Sequence, residues 1–338
     1  MRLRILFSES ERSSVRILGR SAEEYLSREF AEFPCERGRA EELPPPEEGE
    51  TLAVIPLDMP LVTVEDVREG IARVRKYGLK ELMLGGAESG AKLIVGGEGR
   101  TGYTLASPHF VKVDSAKNRA LVYNQMKERV ITRLLEAGVF LPDPSLVAVD
   151  DTVTVSAGAE LLPFCRLEGD TTVAEGARIE GAYLKDCVIG RDARVLMSHL
   201  TGTRVGARSE VGPFARLRDA VIGEDCRIGD FVEVKNSSVG EGAKSAHLAY
   251  IGDADVGAKV NVGCGTVFCN YDGKNKHRTA VGDRCFIGAN VNLVAPLRLG
   301  EGSFVAAGTT VTEDVPSDAF VIGRSRQTVK TDSKRKNT

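Results

Sequence analysis

Tryptophan is absent from this sequence, and aromatic residues make up only 6% of it. That fits a narrow interior filled by aliphatic side chains better than a core of large rings. A surplus of charge is missing too: 45 Lys and Arg stand against 48 Asp and Glu, a net charge of −3, which removes any global case for nucleic acid or a membrane surface. No apolar run approaches the ~18 residues of a membrane-spanning helix, so no membrane insertion is expected, and the chain opens without a secretory signal pattern. The seven cysteines (Cys35, Cys165, Cys187, Cys226, Cys264, Cys269 and Cys285) show no paired metal spacing, and an odd number suits no complete disulfide set. No metal site is expected. A reducing cytoplasm, with thiols used as small core residues, is the expected setting.

What is present is a period. Val149, Val155, Leu161, Leu167, Val173 and Ile179 place an aliphatic residue at every sixth position. After interruptions the frame resumes at Val205, Val211 and Leu217, then Ile222, Ile228 and Val234, then Val256, Val262 and Phe268, and it closes with Val281, Ile287, Leu293, Leu299, Val305 and Val311. This is the signature of a parallel β-helix, in which each hexad is one short strand plus a turn. Three hexads close a triangular coil, and stacked coils bury an aliphatic column that no single coil buries alone. The span predicts roughly nine coils at about 4.8 Å each, a prism roughly 40 Å long. A sandwich of short strands is the competing architecture, but its turn signals drift over about 8–12 residues, whereas this frame holds for whole runs.

Ahead of the repeat the pattern alternates. Met1–Phe7, Thr51–Pro56 and Leu82–Leu84 read as strands; Ser21–Phe33 and Val64–Tyr77 read as helices, the second with Val67, Ile71 and Val74 on one face. Glu36–Glu50, with Pro44-Pro45-Pro46, reads as a charged connector, and Ser115–Ala137 as a longer helix leading into the first coil. The expected organisation is a small α/β domain at 1–112, a linker helix at 113–144, the β-helix at 145–324 and a basic tail at 325–338. A phosphate cradle at a strand-to-helix turn needs glycines. Here the first strand is followed by Ser8-Glu9-Ser10-Glu11, while Gly85-Gly86 and Gly96-Gly97 read as loops and Asp58 as a turn residue.

The frame breaks where chemistry is expected. After Phe268 it resumes only at Val281, so Cys269–Ala280 (CNYDGKNKHRTA) is a polar loop thrown out of the coil, and loops on a rigid prism commonly carry function. Just upstream Ser245 replaces an aliphatic frame residue, and His247 and Tyr250 follow. Arg218 and Lys235 lie in the two preceding coils. A lone His in a turn is more often structural than catalytic. One neutral base among several cations suits an anionic substrate.

From Gly212 to Lys330 the chain resembles the acetyltransferase domain of the bacterial bifunctional N-acetylglucosamine-1-phosphate uridyltransferase/glucosamine-1-phosphate acetyltransferase family. The shared motifs are Gly212-Pro213-Phe214-Ala215-Arg216-Leu217-Arg218, Asp230–Lys235 (DFVEVK), His247–Ala254 (HLAYIGDA), Asn261–Thr266 (NVGCGT), Asn270–Lys276 (NYDGKNK) and Ala306–Thr312 (AAGTTVT). The resemblance implies a left-handed parallel β-helix (hexapeptide repeat), mainly β, with a small N-terminal α/β domain. It implies a homotrimer with sites between neighbouring prisms, and a place in UDP-N-acetylglucosamine and peptidoglycan precursor synthesis. Carried over by motif, His247 is the general base for the sugar's 2-amino group. Arg218, Lys235 and Lys276 hold the sugar phosphate, with Tyr250 and Asn261 on the sugar. Cys264, Asn270, Tyr271, Ala289, Ala307 and Arg324 fall at the acetyl-CoA positions.

The chain also departs from the family. Cys264 and Ala289 stand where alanine and serine are common. The segment after Arg218 is one residue shorter, which predicts a displaced arginine. The N-terminal domain is about half the family's length and lacks its glycine-rich loop, so it reads as degenerate and without uridyltransferase activity. Glucosamine-1-phosphate N-acetylation is the leading expectation; a related acyltransferase on another aminosugar and a non-catalytic trimeric scaffold are the alternatives.

Overall fold

The structure, a computed structural model, describes residues 2–39 and 42–329. It divides into two compact units: the chain up to Leu134 together with Val149–Thr152, and Leu135–Ala148 with the chain from Val153 onward.

The first unit is α/β. Its elements are β1 (Arg2–Ser8), α1 (Ala22–Glu29), β2 (Cys35–Gly38), β3 (Glu50–Pro56), α2 (Val64–Tyr77), β4 (Glu81–Leu84), β5 (Ala91–Val95), β6 (Tyr103–Leu105) and α3 (Ala116–Glu136). The sheet runs β2-β1-β3-β5-β4-β6, with β1 parallel to β2 and β3, and β5 antiparallel to β3 and β4. Ile5, Phe7, Ile55 and Leu93 of the sheet meet Leu26 of α1 and Val67 of α2 in one core. Helix α2 starts where Thr63 and Asp66 cap each other reciprocally and stops at Gly78, whose φ of 60° continues no helix. Helix α1 is shorter than the Ser21–Phe33 pattern, because Ser21 is its N-cap and Phe30 its C-cap. The expected connector Glu36–Glu50 is corrected at its start, where Cys35–Gly38 is recruited as an edge strand. Val149–Thr152 joins this unit through Asp151, which pairs with Arg20 (2.6 Å), Arg133 (2.7 Å) and Arg28. Burial alone would push its carboxyl up, but the Arg20 hydrogen bond and the Arg133 and Arg28 charges hold it below the usual range.

The second unit is a left-handed parallel β-helix of hexapeptide repeats. Its strands are mostly two or three residues long, and one wall alone stacks nine of them among the described residues, from Thr154–Val155 to Leu297–Leu299. The gap in the frame between Ile179 and Val205 is not a gap in the helix. Leu184, Ile189, Val195 and Leu200 fill the interior there, all at most 1% exposed. The spacing falls to five at four corners there, turned at Gly181, Asp186, Met197 and Gly202, each in the left-handed backbone region. Asp219, Asn236 and Asp253 make the same tight corner in the next three coils, with φ of 49°, 46° and 48°. Short Asp and Asn side chains tolerate that conformation. The turn after Arg218 is therefore ordinary here. Arg218 stays in register with Thr201 before it and Lys235 after it, which corrects the expected displacement.

All seven cysteines are free, and Cys165, Cys187, Cys226 and Cys285 are buried. No helix among the described residues is long and apolar enough to cross a membrane. Of the expected basic tail, residues 330–338 lie outside the described residues.

Candidate functional site

Arg218, Lys235 and Gly252 follow one another in register on successive coils, and Glu233 stands beside Tyr250 in the neighbouring line. Because strand residues two apart share a face, both lines point outward from one wall of the prism. Arg218 is ion-paired with Glu233, yet its Nε is buried with no partner. At the end of the wall Asp253 accepts from Asn236 Nδ2 (2.6 Å) and from the side-chain amide of Asn270, whose Nδ2 also lies 3.4 Å from Tyr250 Oη. Burial would raise the Asp253 carboxyl, but those two amides and the charges of Lys235 and Lys276 hold it below the usual range. Lys276 in turn is held below the usual lysine range by contact with Lys235. Two ammonium groups pressed together over one buried carboxylate form a pocket of surplus positive charge. Such a pocket suits a dianion.

His247 is not in a turn, as its neighbours predicted, but within the long strand Lys244–Gly252 that rounds a corner of the prism in register with Asp230. It is exposed and makes no side-chain hydrogen bond among the described residues. The coils beyond it continue the same corner. Gly265 N donates to Leu248 O (2.6 Å), Asn290 N to Cys264 O (2.8 Å) and Gly308 N to Ala289 O (2.8 Å), so His247, Cys264, Ala289 and Ala307 stand in one line. A Cβ at Gly263 or Gly288 would lie 2.6 or 2.5 Å from the backbone nitrogen of the next coil, so glycine is required for this close stacking. Arg324 donates to Ala307 O at the end of the line. Small side chains along an exposed corner, with a guanidinium at its end, fit a long thin ligand bearing phosphate, as an acyl-CoA is.

The expelled loop is closed by its own polar groups. Asp272 accepts from the amides of Lys274 and Asn275 (2.7 Å each) and from His277 Nε2 (2.7 Å), and His277 N donates to Asn270 O (2.8 Å). These contacts, led by the Asn275 amide, hold the Asp272 carboxyl at about 2. Tyr271, largely exposed, donates to Gly273 O (2.7 Å). Arg278 fastens the loop's far end, at 2.6 Å from Asp255 and 3.1 Å from Asn236 O.

The structure thus gathers Arg218, Lys235, Tyr250, Asn270 and Lys276 on one wall, and His247, Cys264, Ala289, Ala307 and Arg324 along its corner. Asn261 belongs to neither set. It is in register with Lys244 and Phe286, on the next wall round the corner. Sequence reasoning missed Asp253 and Glu233, although each lies inside a quoted motif and is the acid nearest the cations there. In the first unit Asp58 lies in a turn, as expected, closed by Met59 N on Pro56 O, and is buried with one carboxylate oxygen unpartnered. No cluster of three or more His, Cys, Asp or Glu able to hold a metal occurs among the described residues.

A family model described as the hexapeptide repeat of succinyl-transferase matches residues 278–313. The bifunctional protein GlmU of Nitratidesulfovibrio vulgaris is 45% identical over 206 residues, covering 60% of this chain and 45% of that protein. The GlmU of Thermoanaerobacter pseudethanolicus is 41% identical over 236 residues, covering 69% of this chain and 52% of that protein. The chain therefore spans about half the length of the curated relatives it matches. Among solved structures, the Francisella novicida UDP-N-acetylglucosamine acyltransferase matches 54% of this chain and 67% of its own at 18% identity, with a TM-score of 0.40.

Proposed function

We propose, from the premise that the chain belongs to the GlmU family, that it is an N-acetyltransferase carrying the acetyl group of acetyl-CoA to the amine of glucosamine-1-phosphate. The observation that carries this reading is the Lys235–Lys276 pair over Asp253 on the wall that His247 borders, a dianion pocket beside an exposed base. In the step proposed, the free 2-amine attacks the thioester carbonyl and an N–C bond forms. The C–S bond breaks, His247 takes the proton from nitrogen and passes it to the departing thiolate, so that CoA leaves as its thiol and the base is restored. A positioned base of this kind contributes about 10²–10⁴ in rate. Arg218, Lys235 and Lys276 hold the phosphate, and Tyr250 and Asn261 the sugar. Asn270, Tyr271, Cys264, Ala289, Ala307 and Arg324 hold acetyl-CoA.

The working form in this reading is a homotrimer in the cytoplasm. Two observations support it. Asn261 is turned away from the wall bearing Lys235, so one small acceptor meets both only when a second prism supplies one of them. Phe164, Met197, Phe214, Phe231 and Leu248 also form an exposed apolar edge at the corner of His247, with Phe214 and Phe231 stacked at 5.5 Å. Such a ridge suits burial against another copy. The unit at 1–112 is read as a degenerate nucleotidyltransferase-like domain without uridyltransferase activity.

The test is thiol release from acetyl-CoA against a panel of amino sugars and their 1-phosphates. Release with glucosamine-1-phosphate well above that with free glucosamine is expected. Equal release with every amine, or none with any, overturns the reading.

A further inference from the structure

The wall that carries Arg218 continues in register into the earlier coils. In the line of Arg218, Thr201 lies one coil earlier and Lys185 two, so Lys185 stands about 10 Å from Arg218. In the line of Glu233 and Tyr250, the preceding positions are Arg216, His199 and Tyr183. Tyr183 and His199 form a ring pair with centroids 4.5 Å apart, and the Tyr183 hydroxyl is anchored on Glu168 (2.7 Å). Neither Lys185 nor Arg216 has an ion-pair partner among the described residues. Burial and then the Arg216 charge hold His199 below the usual imidazole range, so its ring is neutral at pH 7 and available for stacking. A lone sugar phosphate needs none of this.

We infer that the wall from Tyr183 to Arg218 is a subsite for a nucleoside diphosphate, so that the site also accepts an amino sugar whose 1-phosphate is extended in that way. The inference rests on the reading of Arg218, Lys235 and Lys276 as the phosphate pocket. The first phosphate occupies that pocket, the second is met by Arg216 and the Thr201 hydroxyl, and Lys185 lies toward the ribose. The base stacks against the Tyr183–His199 pair. Aromatic stacking accepts any base, because every base has a π-face, so this subsite selects for the diphosphate and a flat ring rather than for one nucleobase.

The experiment uses the full chain with UDP-glucosamine and glucosamine-1-phosphate as acceptors, and UDP and inorganic phosphate as calorimetric ligands. The expected result is that UDP binds at least about tenfold tighter than phosphate. His199→Ala and Lys185→Ala should each weaken UDP, and raise the KM for UDP-glucosamine, by about tenfold. The KM for glucosamine-1-phosphate should stay unchanged. Both side chains are exposed, and circular dichroism checks that each variant keeps its fold. UDP binding no tighter than phosphate, or unaltered in both variants, overturns the inference even if acetyl transfer to glucosamine-1-phosphate stands. Tight UDP binding lost in the variants, without thiol release from any acceptor, upholds the subsite and overturns the acetyltransferase reading instead.

Discussion

Asn270 donates its side-chain amide to the carboxylate of Asp253, across the corner where the coil gives way to the expelled loop. The same carboxylate accepts from Asn236 one coil earlier, and it is the acid beneath Lys235 and Lys276. One buried group therefore ties the loop to the helix and balances the phosphate pocket. Asp253→Ala removes both functions. A hydrogen bond to a charged group contributes about 1.5–3 kcal/mol, so thermal melts should show a loss of this order. The KM values for both substrates should rise in steady-state assays. A variant as stable and active as the parent would show that Asn270 is positioned by other contacts.

The loop has its own pH dependence. The carboxyl of Asp272 is held at about 2, below its ordinary ~3.9. A group whose folded pKa is depressed contributes fully above its unfolded value and ceases to contribute as pH falls through the folded one. Loop closure should thus persist from neutrality down to about pH 4 and be lost between about 4 and 2. Hydrogen exchange of the Lys274 and Asn275 amides reads this directly: protection at pH 5, little at pH 2. Asp272→Ala should abolish it at both.

Ser245 stands in the aliphatic frame between Ile228 and Val262, 1% exposed, with no partner for its hydroxyl. A buried, unsatisfied hydroxyl is a net cost, so Ser245→Val should raise stability by about 1 kcal/mol and the melting temperature with it. A lower melting temperature would mean that the coil interior has no room for the one extra methyl group that valine adds.

How far the sequence could be read follows from which interactions are local. The β-helix was legible because each coil repeats one burial pattern, and a substitution such as Ser245 shows as a break in it. Helix α2 was legible to the residue, since Thr63, Asp66 and Gly78 mark both ends locally. The edge strand Cys35–Gly38 was not, because it is a strand only through its pairing with β1, in a segment whose own composition is charged and proline-broken. The five-residue repeats were read as interruptions because a frame counted in sixes passes over Leu184, Ile189, Val195 and Leu200. In the site, the cations were found as residues, but their acids were not. Asp253 acquires its role only when the helix stacks Asn236 beside it and the loop returns Asn270 to it.

The apolar edge makes the assembly testable. Phe231 is 62% exposed and Phe214 52%, in stacked contact along the corner that bears His247. Light scattering at micromolar concentration should give a trimeric mass. Phe214→Glu with Phe231→Glu should shift it toward the monomer and lower thiol release together. A trimer that survives this pair, or a monomeric parent, removes the edge from the assembly and the shared site with it.

His247 and Lys276 separate chemistry from binding. His247 is an exposed residue on the strand Lys244–Gly252 and contributes little to the core, so His247→Ala should keep the fold while removing the proton acceptor. The expected result is a kcat lower by about 10²-fold or more with little change in KM for acetyl-CoA, because a base acts in the transition state rather than in binding. Lys276→Ala should do the opposite, raising the KM for the sugar phosphate while leaving kcat largely in place, since a charge-assisted contact is lost. The two ammonium groups repel each other, so part of the lost attraction is offset whichever lysine is removed. A His247→Ala enzyme with the parental kcat on every accepted amino sugar would put the base elsewhere. Asp230, its partner in register on the neighbouring strand, would then be the next residue to replace.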